Sequence, residues 1–331
     1  MRYISLFSGI ESASAAWEPM GWAPVCFSEI EPFPRAVLSH RFPDVPLHGD
    51  MTGVDWHQYQ NQADVVVAGA PCQAFSVAGA RQSLDDDRGN LTLATIEAIN
   101  AIRPEFFLFE NVPGILSTKD NAFGCFLAGL VGADAPLQPP GRCRWTDAGL
   151  VSGPDRRVAW RILDAQHFGV PQRRRRVFIV GCPRTGADPA EILFEPKSLN
   201  RDVKPSRKVW AKPAAPTLPG SKKKNRPWVA TGGATGKPIN IAPTIKSPCN
   251  RLEFASEVFI VYENLGIDKA DVRRLTPTEC ERLQGFSDGW TQVPYRNKPA
   301  ADGPRYKALG NAMAVPLIRW LGERIGAQYE R

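Results

Sequence analysis

Short apolar runs rich in β-branched and aromatic residues recur in the first part of this chain: Tyr3 to Phe7, Pro24 to Ser28, Val65 to Ala68, Phe106 to Phe109 and Val177 to Val180. Such runs, without polar alternation, are the pattern of strands buried on both faces. Between the third and fourth, Leu93, Ile96, Ile99 and Ile102 fall on one helical stripe that Pro104 closes. Strand and helix in alternation predict a parallel, doubly wound α/β sheet.

From about Pro183 to Asp271 the rhythm is lost. Eight prolines fall between Arg201 and Asn250, Gly232-Gly233 invites a turn, and no helical stripe persists. A small domain of loops and short strands is expected there. Order returns at Thr276-Pro277-Thr278-Glu279, a capping box with Pro at the first helical position. Leu317, Ile318, Leu321 and Ile325 then mark a last helix, from Val315 to Ile325, that should pack back on the sheet. The expected division is 1–182 with 300–331 as one domain, and 183–299 as a second domain with its supporting helix. No internal repeat is found.

With 331 residues, 43% of them hydrophobic, the chain can bury a large core, and its mixed composition excludes collagen-like, coiled-coil and disordered classes. No stretch approaches the roughly 18 uncharged apolar residues that span a bilayer. Glu11 interrupts the apolar N-terminal patch where a signal peptide needs continuity, so a cytoplasmic protein without a membrane partner is expected. The seven cysteines are scattered and include no CxxC pair, which suggests neither a disulfide framework nor a metal site. Net charge is +7, and residues 201–240 hold ten Lys/Arg against one acid, Asp202. The remainder of the chain is slightly acidic. One basic face suits a polyanion, although a solvated linker has the same composition.

Ligands of open α/β sheets bind beyond the carboxyl ends of the strands, so the residues that follow each run carry the chemistry. Ser8-Gly9-Ile10-Glu11 follows the first run and Glu29 the second, twenty positions beyond Gly9. A glycine turn with an acid at that distance can hold an adenine nucleoside, the acid accepting from ribose hydroxyls. The full GxGxxG is lacking, which disfavours a phosphate-bridged dinucleotide. After the third run comes Gly69-Ala70-Pro71-Cys72-Gln73, and after the fourth Glu110-Asn111-Val112. Cys72 at a strand exit beside small residues suits a nucleophile. Glu110, after four apolar residues, suits a partly desolvated proton donor.

Pro71-Cys72-Gln73, Glu110-Asn111-Val112, Gln172-Arg173-Arg174-Arg175-Arg176, the run from Arg273 to Phe286 (RRLTPTECERLQGF) and Gly310-Asn311-Ala312 resemble, in order, the motifs of the DNA (cytosine-5) methyltransferases. The likeness is greatest to bacteriophage and prophage members. It spans residue 3 to about 325 and omits most of 183–270. At Glu11 most of the family carries a second glycine, and at Ile30 many carry an aromatic.

The resemblance implies a Rossmann-like, doubly wound S-adenosylmethionine-dependent methyltransferase sheet, with a small loop- and strand-rich target-recognition domain. It implies double-stranded DNA as partner, S-adenosylmethionine as cofactor, no metal, and a monomer. Cys72 would add to C6 of a flipped-out cytosine and make C5 nucleophilic. Glu110 would act at N3, Asn111 would orient the loop, and Arg174 and Arg176 would reach the cytosine pocket, Arg176 toward O2. Cofactor contacts would come from Phe7, Gly9, Glu29, Ile30, Asp50, Pro71, Leu91, Asn311 and Ala312, with Glu29 on the ribose and Asp50 on the adenine amino group. Lys222, Lys223, Lys224 and Arg226 would face phosphates. A Thr followed by an aliphatic marks the family's recognition domain; Thr244-Ile245 is favoured over Thr217-Leu218. The alternatives are a tRNA methyltransferase of the same fold and a non-catalytic DNA-binding relative. A dinucleotide oxidoreductase would leave Cys72, Glu110 and the arginine run without a role.

Overall fold

The computed structural model describes residues 1–71, 90–142, 144–195, 228–231, 258–263 and 270–331. Cys72, Lys222, Lys223, Lys224, Arg226, Thr244 and Ile245 lie outside the described residues. In chain order, the first part forms β1 (Arg2–Leu6), α1 (Ser12–Trp17), β2 (Ala23–Ser28), α2 (Pro32–Arg41), β3 (Leu47–His48), β4 (Val65–Ala68), α3 (Asn90–Ile102) and β5 (Phe106–Asn111). There follow α4 (Ala122–Val131), β6 (Ala148–Ser152), β7 (Arg156–Asp164), β8 (Arg175–Pro183) and α5 (Pro189–Leu193). The remainder holds β9 (Trp228–Thr231), β10 (Val258–Glu263), β11 (Ala270–Arg274), α6 (Pro277–Gln284), β12 (Pro294–Tyr295), β13 (Lys298–Pro299), α7 (Asp302–Asn311) and α8 (Val315–Tyr329).

The large sheet has the order β3-β2-β1-β4-β5-β8-β7-β6. Strands β1 to β5 run parallel. β8 is antiparallel to β5, and β7 and β6 continue antiparallel beyond it. The run Val177 to Val180, expected in a parallel sheet, therefore points the other way. The reason is length. Residues 165–174 link β7 to β8, and a parallel return needs a crossover of about a dozen residues or more. The reversal has a consequence for function: the start of β8, not its end, lies at the edge where the parallel strands finish. β9, β10 and β11 form a separate antiparallel sheet.

Strands β1, β4, β5 and β8 each feed two cores, because successive side chains point to opposite faces. Tyr3, Val65, Val67, Phe106, Leu108, Phe178 and Val180 pack beneath α1, α2 and α8. Ile4, Val66, Phe107, Phe109, Val177 and Ile179 pack beneath α3 and α4. Ile192, Leu193, Leu275, Leu283, Phe286 and Trp290, all inside the 183–299 segment, are buried in the first of these cores.

The stripe on α3 is rotated from its expected position. Ile96, Ile99 and Ile102 are buried, but Leu93 is 55% exposed and Thr92 and Thr95 are buried in its stead. A 3.6-residue period lets positions 92, 95, 99 and 102 share one face, and Thr95 makes that face tolerable by donating its hydroxyl to the Leu91 carbonyl at 2.7 Å. The capping box forms as expected: Thr276 N donates to Glu279 Oε2 at 2.7 Å, and Glu279 N donates to Thr276 Oγ1 at 3.3 Å. Gly285 stops that helix at φ 85°, and a Cβ there would lie 2.4 Å from Pro316 Cδ.

Candidate active site

Strand order reverses at β1, whose neighbours β2 and β4 lead away in opposite directions, and the crevice above that point is where such sheets bind ligands. After β1 the chain turns sharply, with positive φ at Phe7, Gly9 and Glu11. Glu29 closes over this turn and is nearly buried. Its Oε2 accepts from Gly9 N at 2.7 Å and its Oε1 from Glu31 N at 2.7 Å. Each oxygen keeps a free lone pair for a hydroxyl, while the two backbone donors hold the carboxylate still.

Arg35, on α2, carries no signal of its own in the sequence. Its Nη1 donates to the Glu29 carbonyl at 2.8 Å and to the His48 carbonyl at 2.6 Å, tying the β2 turn to the end of β3. Asp50 follows β3 on the exposed side, where its Oδ1 accepts from Thr52 N at 2.9 Å. Ile30, beside Glu29, is 67% exposed, an apolar side chain left open at the expected position of the adenine. A pocket of about 400 Å³, lined by Glu31, Phe33, Tyr295, Arg296, Lys307 and Asn311 among others, adjoins this edge and shares only Asn311 with the expected cofactor residues.

Glu11, where a second glycine is usual, is 1% exposed. It holds φ 65° and caps α1 by accepting from Ser14 N at 3.2 Å. Burial raises its carboxyl from 4.5 to about 8, against hydrogen bonds from Ser5 and Ser14 that favour the charged form, and with Glu18 adding to the rise.

On the other side of the crevice β4 ends at Ala68, and Pro71 is exposed just ahead of Cys72. Asn111 is buried and donates its Nδ2 to the Ala70 carbonyl at 3.0 Å, while its Oδ1 accepts from Val112 N at 2.8 Å. It thereby anchors the segment that leads into Cys72 to the end of β5. Glu110, next to it, meets Arg176 from the start of β8: Nε lies 3.1 Å from Oε1, an ion pair not aligned as a hydrogen bond. Antiparallel β8 is what brings an arginine from 66 residues later in the chain onto this carboxylate.

Arg174 turns inward. It is 2% exposed, and Nη1 donates to the Gly310 carbonyl at 3.1 Å. Burial and the Arg176 charge disfavour its charged form, and Glu110 opposes them. Asn311 is exposed and Ala312 buried at the end of α7. Leu91 is half-buried at the first turn of α3. Among the described residues no cluster of His, Cys, Asp and Glu could hold a metal ion, and no helix is long and apolar enough to cross a membrane.

The residues 1–130, 155–226 and 221–327 match the family model of the C-5 cytosine-specific DNA methylases. Among curated proteins the chain is 38% identical to one from Escherichia phage P1 named a DNA N-6-adenine-methyltransferase; the match covers 98% of this chain and 61% of that protein. It is 28% identical to the type II methyltransferase M2.BsuMI of Bacillus subtilis, over 98% of this chain and 75% of that one. It is also 28% identical to M.HpaII of Haemophilus parainfluenzae, over 98% and 88%. Among solved structures the S. pombe Dnmt2 methyltransferase superposes with a TM-score of 0.67 at 16% identity, covering 100% of both chains. A putative DNA modification methyltransferase from an E. coli prophage gives 0.59, also at 16% identity and 100% of both.

Proposed function

Because the chain belongs to the C-5 cytosine-specific DNA methylases, we propose that it transfers a methyl group from S-adenosylmethionine to C5 of a cytosine in double-stranded DNA. The observation that carries this reading is the meeting, at one sheet edge, of Glu110, its Arg176 partner and the Asn111-anchored segment that leads into Cys72.

C5 of cytosine is a poor nucleophile. A thiolate that adds to C6 breaks the 5,6 double bond and leaves C5 enamine-like, so a cysteine is needed, and Cys72 supplies it. Charge then develops on the ring, and a proton or hydrogen bond at N3 offsets it. Glu110 takes that role, with Arg176 holding its carboxylate and presenting a fork of donors toward the O2 carbonyl. Loss of the C5 proton after transfer and elimination of Cys72 restore the aromatic ring and free the enzyme.

The turn residues fit an adenosyl cofactor: Glu29, fixed by two backbone donors, suits ribose hydroxyls, Asp50 suits an exocyclic amine, and exposed Ile30 offers an apolar face to a purine. When bound, S-adenosylmethionine supplies an electrophilic methyl group on a sulfonium. Phe7, Gly9, Pro71, Leu91, Asn311 and Ala312 complete the set. A duplex base cannot reach such a crevice while stacked, so the cytosine is flipped out. The basic segment 201–240, with Lys222, Lys223, Lys224 and Arg226, faces phosphates, and Thr244-Ile245 belongs to the recognition domain within 183–299.

The name of the phage P1 relative points to the adenine N6 amine instead. That amine already carries the lone pair it methylates through and has no use for a thiol adding to a ring carbon, whereas Cys72, Glu110 and Arg176 all serve C5. Nucleoside mass spectrometry of DNA from cells expressing the protein separates the two readings. The expected product is 5-methylcytosine, with bisulfite sequencing giving its sequence context; N6-methyladenine alone would overturn the proposal.

A further inference from the structure

The last carbonyls of a helix have no partner within it. Many helices satisfy them with a left-handed glycine and backbone hydrogen bonds. α7 does not. Its chain leaves in an extended conformation at Ala312, with φ −66° and ψ 147°, so only the Ala308 carbonyl is reached from there, by Ala312 N at 3.0 Å. Leu309 and Gly310 carbonyls are served instead by side chains from elsewhere. Gln284, fully buried on α6, donates its Nε2 to the Leu309 carbonyl at 2.8 Å. Arg174 donates to Gly310, its positive charge also complementing the negative end of the helix. Beyond Asn311, Ser12 from α1 donates its hydroxyl to the Met313 carbonyl at 2.9 Å.

We propose that Gln284 and Ser12 are positioning residues that, with Arg174, hold the segment Leu309–Met313 in the shape that presents Asn311 and Ala312 to the adenosyl cofactor; this rests on the cofactor reading above. Three side chains from α6, β8's approach and α1 converge on the five residues Leu309–Met313, and all three hydrogen bonds go to backbone carbonyls and not to the segment's own side chains. The arrangement also carries a cost: Gln284 Oε1 and Arg174 Nε are buried and, among the described residues, have no partner. A helix end that needed only stability would be capped without burying such atoms. A segment held in place before binding loses less freedom when the ligand arrives, so the hold appears as affinity.

Gln284→Met keeps the volume and removes the donor; Ser12→Ala is a milder change that tests the same segment from the other side. Hydrogen exchange of the amides in 309–314 should quicken in both variants without any ligand. Calorimetry with S-adenosylhomocysteine should show binding weaker by roughly fivefold, the size expected for one hydrogen bond, while kcat at saturating cofactor stays at the parent value. Unchanged exchange in both variants overturns the inference, as does faster exchange with unaltered affinity. A loss of kcat at full saturation would also overturn it, because it would place these residues in the chemical step. The parent protein is titrated first. Failure of the parent to bind S-adenosylhomocysteine sinks the cofactor reading, whereas binding by the parent that neither variant alters sinks this inference alone.

Discussion

At the scale of single residues, the proposed chemistry needs the Cys72 thiol and the Glu110 carboxyl group, which Arg176 meets at the sheet edge. Cys72→Ser keeps the shape but substitutes a far poorer nucleophile, so methyl transfer should fall by more than about a thousandfold, with duplex binding retained. Single-turnover methylation and equilibrium binding measured together check this, and a variant with a few per cent of the parental rate would take Cys72 out of the mechanism. Glu11 shows a different economy at the cofactor turn. A side chain now occupies a left-handed position usual for glycine, and it is tolerated because its carboxylate caps α1. Its carboxyl ionises near 8 in the folded protein against 4.5 when free, so between those values the folded state binds the extra proton and stability falls as pH rises. The other titratable groups facing it are Tyr3, hydrogen-bonded to Ser14 and pushed well above the usual phenol range by burial, and Glu18, itself raised by burial. Glu11→Gln should remove the dependence. Chemical denaturation from pH 5 to pH 8 should show the variant gaining on the parent steadily, by a few kcal/mol at most; parallel curves would mean that Glu11 is charged throughout.

At the scale of elements, the cofactor side of the sheet depends on how closely α1 and α8 pack. Trp17 is fully buried, and its Nε1 donates to the Ile318 carbonyl at 3.0 Å. Gly322 on α8 faces it so closely that an added Cβ would lie 2.3 Å from Trp17 Nε1. Gly322→Ala, ordinarily a gain in an isolated helix, should here cost about 1–3 kcal/mol through overpacking. A fall of several degrees in thermal midpoint is expected, and a rise would show that the two helices separate easily. The strands show the same dependence on context. β8 reads like its neighbours in composition, yet it runs opposite to β5, because its short approach from β7 leaves no room for a crossover.

At the scale of the whole molecule, charge is divided unevenly along the chain. The acids Glu29, Asp50 and Glu110 sit at the carboxyl edge of the sheet, and the excess of Lys and Arg falls in residues 201–240. If those side chains neutralise phosphates, log affinity falls with log salt by roughly 0.9 per phosphate. Lys222, Lys223 and Lys224 changed together to Ala should flatten that slope by up to about three units and weaken all duplexes alike, since phosphates carry no direct sequence information. Binding to specific and random duplexes across a salt series decides: an unchanged slope puts the triplet away from DNA, and a loss confined to the specific site makes its members base readers.

The hydrophobic rhythm alone was sufficient for the class of fold, for the core strands and for the capped helix at Thr276, because burial on two faces and the satisfaction of helix ends are local demands that leave local marks. The ordered motifs likewise singled out Cys72, Glu29 and Glu110 as candidates, since each follows an apolar run whose exit can be read from its neighbours, and Asn311 through the Gly310-Asn311-Ala312 motif. What the chain could not announce was anything created by distance in sequence. The direction of β8 brings Arg176 to Glu110. Arg35 joins two turns, and Gln284 reaches a carbonyl 25 residues away on another helix. Leu93 lies outside its expected stripe because the rotation of α3 is set by the sheet beneath it and not by its own period. Those arrangements depend on which surfaces face one another after folding, and a hydrogen bond between remote groups imposes no pattern on either segment alone.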